Sequence, residues 1–309
     1  MPLLDTYRQQ VALLVRTLPL LSGEKEFALK GGTAINLFMR DMPRLSVDID
    51  LTFVPVTTRE QSLTAIDAGM NRLAAQIAKS IPGAKAVPTK RADGAITRIT
   101  VSDKSAQIKI EVTPVLRGCV YEPALKRVSA SVEDQFGFAE ANLVSFADLY
   151  GGKIIAALDR QHPRDLFDVR DLLAKEGITD ELRKAVLVYL ISHGRPMHEV
   201  LAPTLKNIEA VFTNEFEGMT DSPITVDQLC EARASLLDAV VRQMPDDHRR
   251  FLVGFERGEP DWRLLGLPHV AALPAVLWRQ KNLDSRTTEQ RAALVAQLET
   301  ALGHGSENG

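Results

Sequence analysis

Apolar residues recur every second position in the first half of the chain and every third or fourth in the second half. Val47, Ile49 and Leu51 alternate with Ser46, Asp48 and Asp50. This predicts a strand over 46–53 with one apolar face and one face carrying two carboxylates. The same period runs through AITRITVS (95–102) and AQIKIEVTPV (106–115), with Asp103-Lys104 between them, and predicts a hairpin. On its second arm Ile108, Ile110 and Val112 take one face, and Lys109, Glu111 and Thr113 the other. Shorter strand patterns fall at 26–30 and 84–91, with weak ones at 127–132 and 136–138. The helical period marks 3–18, through Tyr7, Val11, Leu14 and Leu18, and 58–80, through Leu63, Ile66, Met70, Leu73 and Ile77. Pro82-Gly83 ends the second of these.

From Ser145 the helical period is the only one. It predicts helices over 145–159, 164–175, 180–193, 198–216, 225–243, 246–257, 268–281 and 286–302. No strand alternation returns. The expected architecture is an α/β mixed-sheet N-terminal domain over residues 1–178 and an all-helical C-terminal domain over 179–309.

Composition narrows the function classes. The 309 residues suffice for two cores, and 45% hydrophobic with 25% charged residues is ordinary for a globular chain. A net charge of −3 gives no global nucleic-acid signature, so such a partner needs a local basic patch. Arg164, Arg170, Arg183-Lys184, Arg242, Arg249-Arg250, Arg279 and Lys281 are candidates for one. The two cysteines, Cys119 and Cys230, lie far apart without CxxC spacing, which argues against a zinc site or a disulfide framework. The first twenty residues lack the continuous apolar run of a signal peptide, and no stretch reads as a membrane span. A cytoplasmic protein is expected.

The candidate chemistry sits beside the carboxylate strand. Lys30-Gly31-Gly32-Thr33 reads as a turn into a helix over 33–40. Two glycines relax the backbone, and a helix start offers N–H groups to phosphate. Asp48 and Asp50, two apart on a strand, point the same way and suit one hard cation such as Mg²⁺. Glu111 is the third carboxylate, as a base for an attacking hydroxyl or a ligand of a second metal. Lys153 follows Gly151-Gly152 inside a predicted helix, and such glycines suggest close approach of a neighbour. Asp165 and Asp168 share a helix face, which suits either orienting that lysine or touching the nucleotide. His162 reads as a turn residue rather than a ligand.

GGTAINLFMRDMPRLSVDIDL, then KIEV, then ADLYGGKIIAALDRQHPRDLFDV, resemble the AbiEii/AbiGii family of toxin nucleotidyltransferases, within the DNA polymerase β-like superfamily. The motifs span about residues 27–171. The resemblance implies Gly31, Gly32 and Thr33 as the phosphate turn, Asp48 and Asp50 as metal carboxylates and Glu111 as the third acid. It implies Lys153 as the triphosphate lysine and Asp165 or Asp168 as the last-motif acid. Thr33 stands where many superfamily members have Ser and keeps the hydroxyl. The implied activity uses one or two Mg²⁺ (or Mn²⁺) ions to move NMP from an NTP to a macromolecule, with the tRNA 3′ end as leading acceptor. The implied consequence is blocked translation, growth arrest or aborted phage infection, and a cognate antitoxin, often a DNA-binding repressor, is the implied partner. A transferase acting on a protein hydroxyl or small molecule, and a non-catalytic nucleotide-binding relative, are the alternatives.

Overall fold

The computed structural model describes residues 2–91 and 94–303. The chain forms two compact units, Met1–Ser145 and Phe146–Gly309. The N-terminal unit contains α1 (Pro2–Leu21), β1 (Phe27–Lys30), α2 (Gly31–Ala34), β2 (Asp48–Phe53), α3 (Arg59–Ser80), β3 (Lys85–Lys90), β4 (Ile96–Ser102), β5 (Gln107–Thr113), β6 (Ala124–Arg127), α4 (Ala130–Phe136) and β7 (Glu140–Leu143). Among the described residues the strands form one mixed sheet in the order β3-β4-β5-β2-β1-β7-β6. The β2–β5 and β1–β7 pairs are parallel, and the others antiparallel.

Alternation decides which way this sheet faces. Phe27, Leu29, Ile49, Leu51, Ile99, Val101, Ile108, Ile110 and Val112 are buried on one side. Helices α1 and α3 pack against strands of this sheet and supply Val11, Leu14, Leu18, Ile66, Met70, Leu73 and Ile77 to the core. Each fully buried aliphatic side chain contributes about 2 kcal/mol relative to exposure, so the register is strongly specified. A one-residue slip would turn the carboxylates inward. Helix α3 opens with a reciprocal capping box between Thr58 and Gln61. The expected weak strands at 127–132 and 136–138 are replaced by β6 slightly earlier and by α4. That helix buries only Val132 and stops at Gly137, where φ is +94°. One apolar anchor in seven residues leaves no period to read.

The second unit holds α5 (Phe146–Arg160), α6 (Pro163–Lys175), α7 (Asp180–Ile191), α8 (Met197–Leu201), α9 (Glu209–Glu215), α10 (Val226–Leu237), α11 (Asp246–Arg257), α12 (Trp262–Leu265), α13 (Pro274–Asp284) and α14 (Thr288–Ala301). The division after Ser145 differs from the expected boundary near 178 because α5 and α6 pack on α7 and α10 within the helical unit. The single helix expected over 198–216 is broken between α8 and α9. Pro203 disfavours helical conformation at Ala202, whose ψ is 64°. No helix among the described residues is long and apolar enough to cross a membrane.

Candidate active site

The turn between β1 and α2 is built by close approach. Lys30 is extended, and the helix begins at Gly31, so the glycine pair is its first turn rather than a turn before it. Gly31 has φ +80°, and a Cβ there would lie 2.3 Å from Asp50 Oδ2. A Cβ on Gly32 would lie 2.7 Å from Arg44 Nη2 and 2.8 Å from Ser46 Oγ. Only glycine lets the 44–50 segment close onto this turn. Thr33 is fully buried, and its hydroxyl donates to the Asp48 carbonyl at 2.6 Å and lies 3.2 Å from Ser46 Oγ. That hydroxyl ties the helix start to the carboxylate strand, which differs from its expected place as a phosphate donor. After α2 the helix widens into a π turn over Ile35–Met39, and Asn36 Nδ2 donates to the Gly32 carbonyl at 2.7 Å.

The sheet register then lines up one row of polar side chains. Lys30 pairs with Asp50 across β1–β2, Asp50 with Glu111 across β2–β5, Glu111 with Arg98 across β5–β4, and Arg98 with Thr89 across β4–β3. Asp48 pairs with Lys109 one step along the same face. Thus Asp48, Asp50 and Glu111 share the face opposite the core. Lys30 Nζ donates to Thr113 Oγ1 at 3.3 Å. Burial lowers the Lys30 pKa, with the Asp50 charge working against it. Sequence reasoning left Lys30 and Arg98 without roles. Lys30 is the residue before the glycines, and Arg98 occupies a polar position of the hairpin, so alternation alone could have placed both.

Glu111 was expected as a base for the attacking hydroxyl or as a ligand of a second metal. Its Oε1 meets Arg98 Nε at 2.6 Å, and no group of three or more His, Cys, Asp or Glu side chains placed to hold a metal occurs among the described residues. Asp48 is exposed and Asp50 partly so. Two carboxylates of this kind fit Mg²⁺, which commonly takes one or two protein oxygens and completes its shell with water and substrate phosphate. Beside Asp50 and Glu111 opens a cavity of about 300 Å³, to which Thr89, Lys90, Arg91, Thr97, Arg98 and Thr113 also contribute.

The last motif lies in the helical unit and is buried. Lys153 Nζ sits 2.9 Å from Asp165 Oδ1 and 3.1 Å from Asp168 Oδ2, so both acids hold the lysine. Arg160 Nη2 reaches Asp165 Oδ2 at 2.8 Å. Burial raises the Asp165 pKa, but Lys153 and Arg160 outweigh it, and the net value lies below the usual carboxylate range. The close approach signalled by the glycines is to α7. A Cβ on Gly151 would come within 3.1 Å of both Ala185 Cβ and Tyr189 Cδ2, and one on Gly152 would touch the Tyr189 ring. His162 caps α6 through its Nδ1, and its Nε2 lies 3.1 Å from Glu215.

Six of the basic residues named as candidates for a patch in the helical half have local partners. Arg170 pairs with Asp171, Lys184 with Asp180, Arg242 with Asp238, and Arg250 with Asp247. Arg249 donates to the carbonyls of Met244, Val241 and Arg242, and Arg183 to that of Val240.

A family model described as the nucleotidyl transferase AbiEii toxin of type IV toxin–antitoxin systems matches residues 12–277. The chain belongs to the AbiEii family. Membership makes it a nucleotidyltransferase toxin of a toxin–antitoxin system, with a nucleotide substrate and a cognate antitoxin. Among solved structures it is similar to MenT4, a nucleotidyltransferase toxin from Mycobacterium tuberculosis H37Rv. The two are 16% identical, with a TM-score of 0.58 over 94% of this chain and 92% of that one. At that identity the likeness establishes the shared fold. No curated protein matches the chain.

Proposed function

We propose that this AbiEii toxin transfers NMP from an NTP to the 3′ hydroxyl of an RNA, with tRNA as the leading acceptor, and thereby arrests translation. The observation that carries the reading is the packing of the Gly31–Gly32 helix start directly against Asp50, beside Asp48 on one strand face. Amides at the helix start suit phosphate oxygens, because the first N–H groups of a helix lack intrahelical partners. Asp48 and Asp50 are the residues to hold Mg²⁺, or Mn²⁺ in its place. When bound, the ion supplies charge neutralisation at the phosphates and alignment of the attacking oxygen. Glu111, opposite Asp50, accepts the proton of the attacking hydroxyl, and Arg98 orients its carboxylate. The bond formed joins the acceptor oxygen to the α-phosphorus, and the bond broken releases pyrophosphate.

The test supplies each α-³²P-labelled NTP with Mg²⁺ and total RNA. Label on RNA that disappears when the 3′ hydroxyls are oxidised supports the reading. Label on protein or on small molecules alone overturns it.

A further inference from the structure

The row across the sheet has a direction. The glycine turn continues from Lys30 at the β1 end, whereas the 300 Å³ cavity lies on the other side of Asp50, over β5, β4 and β3. Adjacent strands are about 4.8 Å apart, so Arg98 stands roughly 10 Å from Asp50 along the row. Phosphoryl transfer is in line: the attacking oxygen enters opposite the leaving group. With the triphosphate on the glycine turn, pyrophosphate leaves toward β1, and the acceptor must approach from the β5 side.

The lining of that side says what approaches. Lys90, Arg91 and Arg98, the last paired with Glu111, bring three positive charges against the two carboxylates at the reaction centre, and Thr89, Thr97 and Thr113 also line it. No aromatic residue and only one aliphatic residue, Val112, lines it. A nucleobase site needs a stacking face. A site of cations and hydroxyls suits phosphate oxygens. Lys90 and Arg91 are both exposed at the end of edge strand β3.

We infer that this cavity grips the last phosphodiester of the acceptor RNA strand and sets its 3′ hydroxyl beside Glu111, with Lys90 and Arg91 as the backbone contacts. The inference rests on the nucleotidyltransfer reading and adds the place and chemistry of acceptor binding. Because the grip is on backbone, it predicts tolerance of the acceptor's terminal base sequence.

The test compares the full chain with Lys90→Ala/Arg91→Ala and with the swap Lys90→Arg/Arg91→Lys. The readouts are KM for tRNA, KM for the preferred NTP, kcat and salt dependence, with circular dichroism confirming the fold. The alanine pair is expected to raise the tRNA KM about tenfold while kcat and the NTP KM stay near parental. Its plot of log kcat/KM for tRNA against log salt should be shallower by roughly 0.7, from one lost single-strand phosphate contact. The charge-conserving swap should restore both. An unchanged tRNA KM overturns the assignment, and a raised NTP KM instead gives the cavity to the triphosphate. If the parent protein labels no RNA, the nucleotidyltransfer reading fails first and the cavity assignment with it. RNA labelling with an unchanged acceptor KM removes only the cavity assignment.

Discussion

Two clusters of carboxylates and cations, one in each unit, show opposite solvation. On the sheet, Asp48 is exposed, Asp50 and Glu111 are partly so, and a polar cavity opens beside them. In the helical unit, Asp165 and Asp168 are 3% and 2% exposed, and both clasp Lys153. An open set of carboxylates retains solvent and can exchange it for a cation and phosphate. A buried set must be satisfied internally, because an unpaired charge there costs several kcal/mol. The same residue types therefore do different work. Mutation should separate them, with activity lost on the sheet and stability lost among the helices.

The largest effect belongs to the sheet. Asp50→Ala or Asp48→Ala is expected to cut NTP-dependent labelling at least a thousandfold, about 4 kcal/mol of transition-state stabilisation. The melting temperature should stay within a few degrees of the parent, since neither side chain is buried. A soluble Asp50→Ala protein with parental labelling would remove the metal assignment.

Lys153→Ala should show the reverse balance in stability. Removing one partner of a buried pair costs about 3 kcal/mol, which for a unit of this size lowers the melting temperature by roughly 10 °C. Acid titration sharpens the contrast. The folded Asp165 pKa lies below its unfolded value. Its contribution to stability is therefore present above about pH 4 and is lost as pH falls through the folded value. Without Lys153, burial weighs more heavily, and acid unfolding followed by circular dichroism should begin at higher pH. An unmoved melting point and acid midpoint would show that the clasp contributes nothing structural.

The strands near the site were legible because alternation is a two-sided signal: burying Ile49 and Leu51 forces Asp48 and Asp50 outward. The same logic placed Glu111 on its face. What alternation could not give was the neighbour across the strand. The ion pair from Arg98 to Glu111 depends on β4–β5 register, and the row from Lys30 to Thr89 on the order of five strands. The helical half shows a different limit. Gly151 and Gly152 announced a close approach, but a glycine does not name what approaches, and here it is Ala185 and Tyr189 of α7. Basic residues read as a patch are consumed by acids one, three or four positions away, as in Lys184 with Asp180.

Gly31 tests whether the open cluster is nevertheless finely positioned. Alanine at φ +80° is strained, and its Cβ would overlap Asp50 Oδ2 at 2.3 Å. Asp50 must shift by about 1 Å, and misplacement on that scale costs about a hundredfold in turnover. Gly31→Ala should therefore lose most labelling while retaining a folded sheet. Labelling within threefold of parent would show that the metal site tolerates displacement and that the glycine serves the turn alone.

The smallest effect concerns the hydroxyl that joins the glycine helix to the carboxylate strand. Thr33, on α2 beside the carboxylate strand, is fully buried, so it behaves like the helical cluster although it stands next to the open one. Its Oγ1 donates to the Asp48 carbonyl and not to the Asp48 carboxylate. Thr33→Val preserves shape but leaves that part-buried carbonyl without this donor, at about 1 kcal/mol. The loss should appear in melting temperature and, through the position of Asp48, as a roughly fivefold fall in kcat with little change in the NTP KM. Thr33→Ser keeps the donor and should recover kcat, while forfeiting about 1 kcal/mol of methyl packing. Valine thus loses both turnover and stability, and serine stability alone. A raised NTP KM in Thr33→Val, with kcat and melting unchanged, would instead return the hydroxyl to the phosphate and show that its bond to Asp48 breaks when nucleotide binds.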